Sequence, residues 1–236
     1  MENTGYTTLS RQTGLAREMQ IVANNIANTA TTGFRAEGLI FSEFVQPVER
    51  GASLSMGQGN VRNTSFEQGA LTQTNGTFDF AIEGDAFFLV ETPQGQRLTR
   101  SGAFSANAEG DLVTSDGYRV LDSGGGPLFV PPGETIAVAA DGTLSASGGP
   151  LGEIGLVRPI DQLDMVREDG VMFRTDGGFE PSGTARILQG FVENSNVNPI
   201  GQLARMIEVQ RAYELGQSFL DSEDERVRTA LKAIMT

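Results

Sequence analysis

The sequence predicts an α+β protein: N- and C-terminal helices paired as a coiled coil, with an antiparallel β domain inserted between them. Three observations carry this. Apolar residues at heptad spacing run through both ends of the chain. The middle alternates apolar and polar residues in short runs separated by Asp-Gly pairs. Charge divides the same way: residues 76–178 hold 16 acids against six arginines, whereas the two flanks hold 14 acids against 11 bases.

The N-terminal helix is expected from about Thr7 to Thr29, with Leu15, Met19, Val22 and Ile26 at steps of four, three and four. Its last turns carry Asn24, Asn25 and Asn28, although Asn is a mediocre helix former because its amide competes for backbone partners. Three amides in five residues point to hydrogen bonds with a neighbouring backbone or chain, and contacts between subunits are the reading adopted for them. Gly33, after Thr31-Thr32, suits the left-handed conformation that ends a helix, and Phe34 follows it.

Residues 34–75 and 179–197 are expected to be extended connectors, with a Gly-, Ser- and Asn-rich linker over Glu49–Asn63. Between them, residues 76–178 form the β domain. Phe78, Phe80 and Ile82 alternate with Thr77, Asp79 and Ala81, the period of a strand. Ala86-Phe87-Phe88-Leu89-Val90 is a buried strand. Asp116-Gly117 and Asp141-Gly142 supply the positive φ values of tight turns.

The second helix starts at Asn198-Pro199, where Asn caps and Pro occupies a first-turn position whose missing N–H costs nothing. A seam runs through Leu203, Met206, Gln210, Tyr213, Gln217, Leu220, Asp224, Val227, Leu231 and Ile234 in steps of three and four. A helix from Ile200 to Met235 would be ~50 Å long at ~1.5 Å per residue, and only packing along its length would hold it. The terminal helix domain thus comprises residues 1–33 and 198–236.

Composition restricts the chemistry. There is no Cys and no His, and Lys232 is the only lysine. This removes thiolate chemistry, disulfides and the usual neutral-pH base and metal ligand. A net charge of −13 disfavours nucleic acid as a partner. Gly57-Gln58-Gly59-Asn60 lacks the rest of a dinucleotide fingerprint, and Gly124-Gly125-Gly126 has no Lys-Ser/Thr after it. The Asp-Gly pairs lack calcium-loop spacing. No catalytic residue, cofactor, metal or small-molecule substrate is expected. The N-terminus has no basic region followed by an apolar one, so no cleaved signal peptide is expected.

Three motifs stand in order along the chain: Ala23-Asn24-Asn25-Ile26-Ala27-Asn28-Thr29-Ala30-Thr31-Thr32-Gly33-Phe34-Arg35, Phe80–Phe88 with Leu98–Phe104, and Glu193–Asn198 with Met206–Glu214. Together they resemble the signatures of the bacterial flagellar rod and hook proteins. The short middle domain is most similar to the proximal-rod members, with distal-rod and hook-type members as the alternative. Ala86 departs from that pattern where Gly is frequent, and Ile26 where Leu is usual.

The resemblance implies a structural subunit that packs its terminal helices around a channel, with its β domain outward, in a helical tube that transmits torque. It implies self-association, contacts with other rod subunits, and export by the flagellar type III apparatus into the periplasmic rod of the basal body. Asn24, Asn25, Asn28, Gly33, Phe34, Leu203, Met206, Gln210, Tyr213, Gln217, Leu220, Val227, Leu231 and Ile234 are the residues expected to pack subunits. A secreted coiled-coil adhesin is the competing reading from another class. It would share the seam without requiring the Asn-rich helix end.

Overall fold

A computed structural model describes residues 2–46 and 54–234. The chain divides into two compact units: residues 1–28, 36–65 and 197–236 form one, and residues 29–35 and 66–196 the other.

The first unit holds helix α1 (Glu2–Ala27), strands β1 (Glu37–Gln46) and β2 (Leu54–Thr64), and helix α2 (Pro199–Ile234). α2 begins as its sequence predicts. Asn198 Oδ1 accepts from the Gly201 N–H at 3.1 Å and its carbonyl accepts from Gln202 N at 3.0 Å. α1 packs antiparallel on α2 and also against the hairpin of β1 and β2. The close approach to the hairpin is made at two glycines. A Cβ on Gly14 would lie 2.6 Å from the Phe41 ring, and one on Gly59 would lie 3.3 Å from the Gly14 Cα.

That hairpin replaces the expected linker over Glu49–Asn63, so far as the linker falls within the described residues. β1 and β2 are antiparallel from Glu37↔Thr64 to Gln46↔Leu54, with a bulge at Ile40/Phe41. The Gly-rich composition that reads as a mobile connector instead supplies a strand surface flat enough for a helix to lie on. The second expected connector, 179–197, carries three short strands, over Phe179–Pro181, Arg186–Gln189 and Phe191–Glu193.

In the second unit, strands β3 (Leu71–Gln73), β4 (Phe80–Glu83), β5 (Phe87–Thr92) and β6 (Gly95–Thr99) come first. β7 (Phe104–Ala106), β8 (Leu112–Thr114) and β9 (Arg119–Val120) follow. Then come β10 (Ala137–Val138), β11 (Thr143–Ala146), β12 (Gly149–Glu153) and β13 (Leu156–Pro159). β14 (Met165–Glu168), β15 (Met172–Thr175), β16 (Phe179–Pro181), β17 (Arg186–Gln189) and β18 (Phe191–Glu193) complete it. All pairings are antiparallel.

β5 sits centrally, paired with β6, β9 and β13. Phe88 and Val90 join one apolar cluster while Phe87 and Leu89 join another. Burial on both faces explains why this strand reads as an unbroken apolar run rather than an alternation. Late strands return to early ones: β17 pairs with β4 and β18 with β3. The β unit is therefore closed by the segment just before α2.

Candidate assembly site

Within the first unit, α2 turns Gln202, Met206, Val209, Tyr213, Gly216 and Leu220 toward α1; Val209 is buried and the others are half-buried. Met206, Tyr213 and Leu220 belong to the predicted seam. The alternate members of that seam face outward: Leu203, Gln210 and Gln217 are exposed, and Gln202, Val209 and Gly216 take the inward positions one residue earlier. Leu203 draws the seam one residue round the helix, because glycine gives no hydrophobic signal. Gly216 nevertheless fits the interface. A Cβ there would lie 2.4 Å from the Gln12 amide nitrogen, which donates to the Tyr213 carbonyl at 2.8 Å. Arg205 completes the contact by binding Glu18 at 2.6 Å.

The inward stripe continues along α2 through Val227 and Leu231, which are 42% and 55% exposed. The antiparallel pairing brings the start of α1 opposite the region of Glu223, so these residues lie past the end of their partner helix. The Ile234 side chain lies outside the described residues.

The three amides separate by role. Asn25 is fully buried. Its Nδ2 donates to the Glu37 carbonyl at 2.7 Å and to Gln202 Oε1 at 3.3 Å, and its Oδ1 accepts from Glu37 N at 3.0 Å. It thus imitates a neighbouring strand, joining α1 to the start of β1. A side chain with no exposed surface makes no contact with another subunit, so the inter-subunit reading is corrected for Asn25. Asn28 donates from Nδ2 to the Asn24 carbonyl at 2.9 Å and closes the last turn of α1. Asn24 is exposed.

Gly33 and Phe34 are likewise buried within their own chain, in the β unit. Gly33 has φ +70°, as a left-handed turn requires, and donates its N–H to the Glu193 carbonyl at 2.7 Å. A Cβ there would lie 2.3 Å from Ser101 N. Phe34 lies under the Arg167 guanidinium, 4.4 Å from its ring centre, and Arg167 also donates to the Arg35 carbonyl.

Next to them is a buried charge cluster that sequence reasoning missed. Arg35, Arg100 and Glu193 are almost wholly buried. Glu193 Oε1 accepts from Arg35 Nη2 at 2.8 Å and from Gly69 N at 3.0 Å, while Oε2 accepts from Arg100 Nη1 at 3.2 Å. Arg35 also donates to the Glu67 carbonyl, and Arg100 to those of Ile82 and Gly84. The Nε atoms of both arginines are buried without a hydrogen-bond partner. Burial lowers the pKa of both guanidiniums, that of Arg100 to about 10. The Glu193 charge opposes the shift in each, and the neighbouring Arg35 charge adds to it at Arg100. Each residue lies within a sequence motif, but nothing local marks it as a charge to be buried beside the others.

No helix among the described residues is long and apolar enough to cross a membrane, and no group of His, Asp or Glu among them is placed to hold a metal ion. Comparison with known proteins adds an independent line. Residues 6–35 match a family model described as flagella basal body rod protein, residues 81–146 one described as flagellar hook protein FlgE/F/G D1 domain, and residues 188–233 one described as flagellar basal body rod FlgEFG protein C-terminal. Each matched segment contributes one member of the charge cluster. The flagellar basal-body rod protein FlgF of Caulobacter vibrioides is 41% identical over 99% of this chain and 98% of its own length. FlgF of Mesorhizobium japonicum is 38% identical over 97% of this chain and 98% of its own. FlgG of Bacillus subtilis is 28% identical over 93% and 94%.

Proposed function

The chain belongs to the flagellar basal-body rod family and is a FlgF-like structural subunit of the basal body, and on that premise we propose that it builds the proximal rod through its terminal helices. In this reading α1 and α2 pair as a coiled coil, copies of the chain associate with one another and with adjoining rod subunits, and the resulting tube encloses the export channel and transmits torque. The chain reaches the periplasm through the flagellar type III apparatus without cleavage of a signal peptide. Asn24, Leu203, Gln210, Gln217, Val227 and Leu231 are the predicted packing residues that remain available to a neighbour.

One observation carries the reading: the inward stripe of α2 outruns α1, so Val227 and Leu231 stay exposed in a single chain. A half-exposed apolar stripe continuous with a helix interface is stable in water chiefly when another helix covers it. The test is Val227→Glu with Leu231→Glu, assayed in the source bacterium for motility and for rod formation in isolated basal bodies. The purified variant should fold as the parent does, while cells become non-motile and their basal bodies lack a completed rod. Normal swimming with complete rods would sink the proposal.

A further inference from the structure

The two apolar clusters of the β unit are drawn from Phe80 to Ile187, with Phe66 and Phe179 packed against them. Neither includes a residue of Thr29–Arg35 or of Phe191–Asn196. Phe34 and Val192 are buried outside those clusters, and hydrogen bonds and ion pairs tie the two segments to the unit. Gly33 N donates to the Glu193 carbonyl, Asn196 N to the Phe34 carbonyl at 3.2 Å, and Asn196 Nδ2 to the Glu67 carbonyl at 2.8 Å. At their centre two guanidiniums share the single carboxylate of Glu193.

The energetic sign of this arrangement depends on Glu193. Two buried like charges repel, and each has lost its hydration. With the carboxylate between them, both are paired and Gly69 N gains an acceptor. Arg100 is already held by the Ile82 and Gly84 carbonyls and stacks 5.0 Å from the Phe87 ring centre. Arg35 also donates to the Glu67 carbonyl, but it stands at the end of a segment outside the apolar clusters and can leave with that segment. Asp85, the other acid that acts on both arginines, is exposed and ion-pairs with neither among the described contacts.

We propose that Glu193 is a latch: residues Thr29–Arg35 dock in the β unit only when β18 delivers the Glu193 carboxylate between Arg35 and Arg100. The position of the chain just after α1 is then conditional on the chain just before α2, although most of the sequence lies between them. A β unit lacking that carboxylate keeps its two apolar clusters and releases the segment carrying Gly33 and Phe34. The device goes beyond rod assembly, because it operates within one free chain.

The test is hydrogen exchange on the full-length chain in solution, comparing the parent with Glu193→Gln, which keeps the shape and removes the charge. Protection at Gly33–Arg35 should fall by roughly two orders of magnitude, the usual consequence of breaking a buried pair. Protection in Phe87–Val90 should hold. Adding Arg35→Met to Glu193→Gln removes one of the two repelling cations and should recover at least tenfold of the lost protection at Gly33 and Phe34. Unchanged protection at Gly33–Arg35 in Glu193→Gln would overturn the latch. So would an equal loss in Phe87–Val90, an unfolded Glu193→Gln chain, or no recovery in the double variant.

Discussion

Replacing Asn25 by Ala should weaken the helical unit well beyond the effect of the same change at Asn24. The Asn25 amide makes three bonds from a fully buried position, two of them to the backbone of Glu37. Alanine is the better helix former by roughly 0.5 kcal/mol, which favours the variant. Against this stand three lost hydrogen bonds at about 1 kcal/mol each, with a further desolvation cost for the Glu37 groups that lose the amide. The net expected loss is about 3 kcal/mol. At Asn24, exposed, only the helix-propensity gain operates, and Asn24→Ala should be neutral or stabilising by about 0.5 kcal/mol. Native-state hydrogen exchange in α1 and β1 reads both. Amides near Glu37 should lose about two orders of magnitude of protection in Asn25→Ala, since ~1.4 kcal/mol is a factor of ten. Equal, small effects at the two positions would refute the strand-mimic role of Asn25.

Further outcomes follow from the same geometry. Gly33→Ala combines a positive φ with a Cβ 2.3 Å from Ser101 N, and should destabilise the β unit by more than about 2 kcal/mol in urea melts. Gln210→Leu with Gln217→Leu alters two exposed positions and should leave free-chain stability within about 0.5 kcal/mol, whereas motility should fall if these amides meet a neighbouring subunit. The Glu168 carboxylate is held below the usual glutamate range by the hydrogen bond from Arg97 at 2.7 Å and then by that from Arg174. Its depressed folded-state value means that its stabilising contribution is complete above the unfolded-state pKa and is lost as pH falls through the folded one. A carboxylate NMR titration should show Glu168 protonating below ordinary glutamates, with a smaller depression in Arg97→Met, where the Arg174 hydrogen bond remains.

Sequence alone revealed much of this fold because its signals are local. Asn198-Pro199 marks the start of α2, and the continuous apolar run around Phe87–Val90 marks a strand buried on both faces. The α2 stripe was legible at Met206, Tyr213 and Leu220, where the residues are large, and misplaced at Gly216, where the interface needs the absence of a side chain. Glycine is ambiguous in the same way in β2: Gly59 looks like a linker residue until Gly14 is seen against it. The cluster of Arg35, Arg100 and Glu193 was the least legible. Each charge is ordinary where it stands, and burial becomes favourable only when three distant segments meet. The amide-rich helix end fell between these cases. A hydrogen bond to a neighbouring backbone was foreseeable from composition, but assigning it to Asn25 rather than Asn24 required knowing which side of α1 faces β1.

Electron cryomicroscopy of intact basal bodies from the source bacterium, with this chain placed in the density of the rod, bears most directly on its role as a rod subunit. The chain should occupy the proximal rod, with a helix of another subunit lying over Val227 and Leu231. Proximal-rod density that this chain does not fit, or an α2 tail with Val227 and Leu231 facing solvent in the assembled rod, would contradict it.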